Sequence, residues 1–222
     1  MQFLEKEPNF FECEGVDGHW SACKKEAICS QNLVNYRPVK SDPEFLDNWV
    51  DKLGLLCESQ KRVGFLGSSY FLGIIIAMIF IPYLSDIYGR KKIFCLTMVA
   101  SIIGQVGLIV STNLYSSTLY MVLLGMTWPG KRVTGLSYNL EFLPEIDQNT
   151  YLTLFTLFDY PSIFLISLSY EYLTPSWYPI QALGVVLSCV TLAYCMVLMP
   201  ESPKFLFINH RYEELRQILN QI

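Results

Sequence analysis

Charge is what this sequence has least of. Asp, Glu, Lys and Arg make up 16% of its 222 residues, against about a quarter in an ordinary globular domain. No basic tract runs longer than "RKK" at 90–92 and the formal net charge is −4, which excludes nucleic acid as a partner. Histidine occurs twice, at His19 and His210, and no two cysteines stand at C-x-x-C spacing; no metal centre and no cofactor is expected. No nucleophile and base fall into a catalytic set, so an enzyme is not expected. An N-x-S/T sequon is missing too, and the opening "MQFLEKEPNFF" lacks the basic start, apolar core and small-residue cleavage site of a secretory signal.

The charge that is present is unevenly placed. Of the 36 charged residues, 19 fall in the first 62 positions, and long apolar runs come afterwards. This divides the chain into a polar segment, 1–62, and a membrane region, 63–200. Cys13, Cys23, Cys29 and Cys57 lie in the polar segment, whereas Cys95, Cys189 and Cys195 lie within apolar runs. Four cysteines in a short, loop-like stretch suggest two disulfides on an oxidising, non-cytosolic side, with three connectivities between which sequence does not choose. A zinc site is the alternative, and the missing C-x-x-C spacing counts against it.

Val63 to Leu84 is a run of 22 residues without a charge, enough for a helix to cover the roughly 30 Å hydrocarbon core. Further spans are expected at about 93–112, 117–142, 151–173 and 180–199, the fourth interrupted by Asp159 and Pro161. The expected fold is therefore an all-α, multi-pass transmembrane bundle of five spans in a lipid bilayer. Residues 201–222 open on prolines and place Leu206, Leu215, Ile218, Leu219 and Ile222 on one face of an amphipathic helix. Lys and Arg in short connections set orientation. Arg90, Lys91 and Lys92 after the first span and Lys204, Arg211 and Arg216 at the end mark cytoplasmic sides, while "NLYSS" and "TPSWYP" carry neither. Five spans then leave the polar segment extracellular or lumenal, in agreement with the cysteines, and the plasma membrane suits the disulfides best.

Three short stretches punctuate the membrane region. In "YLSDIYGRKK", Gly89 permits a tight turn and Asp86 is placed to cap the next helix. "YNLEFLPE" ends the third span with Glu141, and "PESPKFL" ends the fifth with Glu201 between prolines. Two such acids and the Arg90 guanidinium at one membrane face can form a charge cluster.

These stretches resemble the major facilitator superfamily. "SDIYGRKK" is similar to its signature between helices two and three, and "PESPKFL" to the "PESPR" motif after helix six. "NWVDKLGLLC", the cysteine-bearing segment and "LGSSYFLGIII" resemble more narrowly the organic cation and anion transporter family and its sugar-porter-like relatives, from about Phe3 to Ile222. The resemblance implies two six-helix halves rocking around a central site. The five spans would be helices two to six, and the partners would be a small solute, the missing first helix and the C-terminal half of the same transporter. A segment on the oxidising side would then be delivered by helix one, and the chain, read as a fragment or degenerate half, would not transport alone. The sequence departs from the family at Pro82, where the signature has glycine; at Tyr120 and Met121, where an early arginine is absent; and at Lys204, which replaces the arginine of "PESPR". An organic ion is the expected solute, with a sugar or polyol as the alternative; a non-transporting structural subunit is the rival from another class.

"MTWPGKRVTG" at 126–135 puts Lys131 and Arg132 near the middle of the third span, where charge is expensive. Pro129 and Gly130 are expected to kink or loosen the helix there, as binding sites in transporters require. Arg132 lies about 16 Å above Leu143 and Asp159 about 13 Å above Thr150 by helical rise, so the two are expected partners at similar depth. Three readings stay open: a structural ion pair, a charged residue in the solute pathway, or a helix break facing water. Lys131 points about 100° from Arg132. Tyr70 and Tyr138 are further pathway candidates, though aromatic residues in membrane helices usually pack, as expected of Phe71 and Tyr160. Gln105 and Gln181 are expected to make interhelical hydrogen bonds, and Glu171 to sit at the interface.

Overall fold

A computed structural model describes residues 11–14, 19–25, 28–29, 35–39, 47–172 and 176–220. The expectations at Leu173 and Ile222 lie outside these residues, as do the side chains of Glu171 and Leu219. The polar segment contains an element absent from the sequence-based expectation: a three-stranded antiparallel sheet of β1 (Phe11–Glu14), β2 (Trp20–Cys23) and β3 (Tyr36–Pro38), with β1 in the middle. Its small core is Phe11, Cys13, Ile28 and Leu56. Disulfides Cys13–Cys23 and Cys29–Cys57 settle the connectivity. A sheet this small needs such staples, because it buries too little apolar surface to hold itself together.

A short helix α1 (Trp49–Lys52) leads into the membrane region. Asn48 is fully buried and its Oδ1 accepts from Val50 and Asp51 N–H, capping α1. Among the described residues four helices are long and apolar enough to cross a membrane: α2 (Gln60–Tyr88), α3 (Arg90–Val110), α6 (Glu145–Tyr172) and α7 (Trp177–Val197). Between α3 and α6 runs a helical segment in three pieces, α4 (Leu114–Pro129), a π-helical turn (Gly130–Thr134) and α5 (Gly135–Leu140); together they extend about 40 Å. Two short helices, α8 (Pro203–Ile208) and α9 (Tyr212–Leu219), follow α7. Ile75, Ile79, Leu119, Phe158 and Val197 are exposed while Ser69, Ser101, Ser117 and Thr127 are buried. This inside-out distribution is that of a surface solvated by lipid.

The closest helix pair is α2 against α4, which run parallel. Gly73 and Gly125 face one another there: a Cβ on Gly73 would stand 2.2 Å from the Val122 carbonyl oxygen, and one on Gly125 2.0 Å from that of Tyr70. Where lipid is as apolar as the side chains, such backbone approach is what gives helices a reason to associate. Antiparallel α3 packs against α4 on one side and α7 on the other.

α6 is the exception. Its Leu154, Leu157, Phe158, Ile163, Phe164 and Leu165 are all exposed; apart from Tyr170, buried in a cluster with Trp49, Leu66, Leu108, Met121 and Trp177, its described attachments are polar. Gln148 donates to the Leu140 and Leu143 carbonyls, Asp159 meets Arg132, and the Tyr170 hydroxyl donates to the Asp47 carbonyl.

The Gly73–Gly125 contact predicts that Gly125→Leu lowers stability by about 1–3 kcal/mol or more, read as a lower melting temperature in detergent by circular dichroism, while Gly64→Leu, whose Cβ meets nothing within 4 Å, leaves it nearly unchanged. The disulfides predict a change in gel mobility on reduction that disappears when Cys13, Cys23, Cys29 and Cys57 are replaced by serine.

Candidate functional site

Pro129 has no N–H to continue the helical ladder, and the chain resolves this without unwinding. Gly135 N–H donates to the Gly130 carbonyl, an i→i−5 bond, so the Pro-Gly pair produces a π turn in place of an open break. The two adjacent cations point to different helices. Arg132 Nη2 reaches Asp159 Oδ2 at 2.5 Å, with the two side chains 31% and 22% exposed, and its guanidinium lies 5.6 Å from the centre of the Phe155 ring. Lys131 turns the other way, to α3, where Nζ donates to Ser101 Oγ at 2.8 Å.

Ser101 is fully buried and leads on to Gln105, whose amide contacts Ser101 and Ser188 at 3.3 and 3.5 Å. Gln105 Nε2 donates to the Oγ of both Ser101 and Ser188, so Ser101 accepts from Lys131 and Gln105 together. Lys131 thus begins a polar chain across α3 to α7, spending its charge on hydroxyls and not on a carboxylate. Arg132 and Asp159 form the charged centre by themselves.

Beside that centre lies an open concavity of about 570 Å³ along α6, lined by Tyr151, Leu154, Phe155, Phe158, Asp159 and Ser162. Its wall is mainly apolar and aromatic, with a carboxylate at one point. Tyr70 is half-buried and within electrostatic reach of Arg132. Tyr138 is not brought to this centre: it is buried, its hydroxyl donates to the Pro200 carbonyl, and it lines a separate cavity of about 210 Å³ with Phe94, Thr191 and Tyr194.

At the Arg90 end the charged residues divide into two groups. Arg90 pairs with Asp86 at 3.4 Å and Glu141 at 3.1 Å. Glu141 also accepts from the Ser202 hydroxyl, which caps α8 through Phe205 N–H. Asp86 does not cap α3: it sits in the last turn of α2, and Gly89 is the cap residue, with no side-chain bond. Glu201 does not join Arg90 either. Its Oε1 accepts from Lys91 N–H at 3.0 Å and Ser202 N–H at 3.1 Å. Gly89, at φ 104°, makes room for it, since a Cβ there would stand 2.8 Å from Glu201 Oε2. Asp86, Arg90, Glu141 and Lys204 line a concavity of about 340 Å³ at this end.

Two lysines escaped the sequence reading. Lys91 Nζ donates to the Met196 and Met199 carbonyls at the end of α7. Lys52 does the same for α3, donating to the Leu108 and Ile109 carbonyls at 2.8 and 2.7 Å, with its ammonium 4.7 Å from the Trp177 ring centre. Burial pushes the Lys52 ammonium below its ordinary value, a cost that the carbonyls and the aromatic face offset. The signal available in sequence was a basic residue flanking an apolar run, which orientation rules count without assigning a partner.

The sequence of this chain has relatives among known proteins. A family model described as "Sugar (and other) transporter" matches residues 3–222. Solute carrier family 22 member 4 of Mus musculus is 25% identical over 182 residues, covering 80% of this chain and 32% of that protein. Member 1 of Oryctolagus cuniculus is 26% identical over 174 residues, 78% of this chain and 31% of that protein. Organic cation/carnitine transporter 2 of Mus musculus is 24% identical over 177 residues, 80% of this chain and 32% of that protein. The chain thus spans about a third of the length of the curated relatives it matches. With four helices long and apolar enough to cross a membrane among the described residues and the family match over nearly every residue, the chain is a multi-pass membrane protein that belongs to the sugar (and other) transporter family, within the major facilitator superfamily.

Proposed function

We propose that this chain supplies helices two to six of a secondary or facilitative transporter that carries a small organic ion by alternating access. The observation that carries the reading is the Arg132–Asp159 pair beside the apolar concavity on α6. A sugar needs a wall rich in hydrogen-bond donors and acceptors; this wall offers Asp159, Ser162 and one tyrosine hydroxyl among apolar neighbours. An organic cation fits it better, because aromatic faces and a carboxylate both favour positive charge on an apolar body. In this reading the solute competes with Arg132 for Asp159. The names of the relatives, organic cation and carnitine among them, favour the same class. The activity belongs to transport and not to catalysis, and it requires the remaining helices of a full transporter.

The disulfide end faces the extracellular or lumenal side, where thiols oxidise, and the end with Arg90, Lys91 and Lys92 faces the cytoplasm. The plasma membrane satisfies both.

Vesicle uptake of tetraethylammonium, benzoate and glucose by the full reading frame containing this chain tests the proposal. Saturable tetraethylammonium uptake that falls at least tenfold in Asp159→Asn is expected; saturable uptake of glucose alone assigns the sugar reading, and a frame that carries none of the three assigns the structural role. The ion pair is tested separately in the folded protein. Arg132→Asp or Asp159→Arg alone leaves a buried charge unmatched and costs about 2–3 kcal/mol, less than the 3–5 of a fully buried pair because both side chains keep some exposure. The double exchange restores the melting temperature. If it restores stability without uptake, the pair works on the solute; if it restores both, the pair is structural.

A further inference from the structure

Antiparallel α3 and α7 meet along a seam with three rungs. Lys91 reaches the Met196 and Met199 carbonyls at the Arg90 end. One helical turn further, Cys95 Sγ lies 3.3 Å from Cys195 Sγ. Toward the disulfide end, Gln105 meets Ser188. The outer two rungs hold the helices in register, so the middle one keeps two thiols face to face. Cys95 is half-buried and Cys195 buried, and both are free thiols. Neither belongs to the Arg132–Asp159 centre or to the Arg90 cluster.

We propose that Cys95 and Cys195 are a dithiol–disulfide couple, a redox-modification site within the membrane region that ties α3 covalently to α7 when oxidised. Closing the gap from 3.3 Å to the roughly 2.0 Å of a disulfide asks for a movement of about 1 Å shared between two side chains. Access exists: Cys195 lines the cavity of about 210 Å³ bounded by Phe94, Gly135, Tyr138, Thr191 and Tyr194, ample for a water-sized oxidant.

The oxidant class is a peroxide. One thiol, as thiolate, attacks a peroxide oxygen, breaking the O–O bond and becoming a sulfenic acid as the leaving oxygen takes a proton to form water. The second thiol attacks that sulfur, and the sulfenic oxygen leaves as a second water. Two electrons pass from the sulfurs to hydrogen peroxide, and two waters are formed. A dithiol reductant reverses the bond by exchange. Cys195 stands six residues before Glu201 on the same run, so the bond fixes the segment that presents Glu201 to Lys91 N–H and Gly89. Cys189, exposed on α7, has no thiol opposite it among the described residues.

The test uses the full chain in phosphatidylcholine vesicles, treated with hydrogen peroxide or, in parallel, with copper–phenanthroline, then alkylated and digested with chymotrypsin, which separates Cys189 from Cys195 after Tyr194. Mass spectrometry is expected to find a linked Cys95–Cys195 peptide and the loss of two alkylation sites, both reversed by dithiothreitol, with Cys189 still alkylated. Cys95→Ser and Cys195→Ser each remove the linked peptide. Full alkylation of both cysteines after either oxidant overturns the proposal. So does sulfinic acid on one without a link, or a link that uses Cys189.

Discussion

A charge in hydrocarbon has to find its opposite or cost several kcal/mol, and the Arg132–Asp159 bond is where this protein meets that demand. The bond reaches from the middle of the broken third span to α6 at 2.5 Å. α6 leaves most of its large apolar side chains exposed, so the ion pair, with Gln148 at one end and Tyr170 packed into the apolar cluster at the other, decides where the helix stands. Within the π turn of Gly130–Thr134 Arg132 reaches α6 and Lys131 reaches α3, as the roughly 100° between adjacent helical residues favours, so that two neighbouring cations do not compete for one carboxylate.

The same logic operates at the membrane ends, where polar groups again fix helices that apolar contact alone would leave free to slide. Lys52 closes the last carbonyls of α3, and Lys91 those beyond α7. Each joins a helix C-terminus, where backbone carbonyls lack partners, to a cation from another part of the chain. Glu201 accepts from backbone at the start of α3, while Glu141 holds Arg90 and Ser202. Between these ends the glycine contact of α2 and α4 and the seam of α3 and α7 supply the close packing. The result is a bundle positioned by a few directional bonds.

Much of this was legible in the residues. Apolar runs such as Val63–Leu84 declare themselves because lipid tolerates few charges over some twenty residues, and the proline- and glycine-marked turns carried the family resemblance. What remained hidden has physical causes. The sheet of β1, β2 and β3 rests on strands of three or four residues, too short for a periodic pattern to stand out. Asp86 has the composition of a cap, yet α2 continues past it to Tyr88 and turns the carboxylate toward Arg90 one turn on. Glu201 follows a proline whose direction no local rule supplies, and it lands on Lys91 N–H beside Gly89. Tyr138 shares a helical segment with Arg132 but lies on the face that meets Pro200.

By itself the sequence determined that this chain lives in a membrane, because its scarcity of charge and its uncharged runs admit no other solvent, and it determined the family through motifs in their order along the chain. It also placed Arg132 and Asp159 at similar depth as expected partners, with a structural pair, a solute-pathway charge and a water-facing helix break all left open. Only the tertiary structure decided that Lys131 turns to Ser101 on α3, how four cysteines pair, and which thiols face each other across α3 and α7. Those choices depend on helix rotation and register, which a π turn of five residues or one glycine contact is enough to reset.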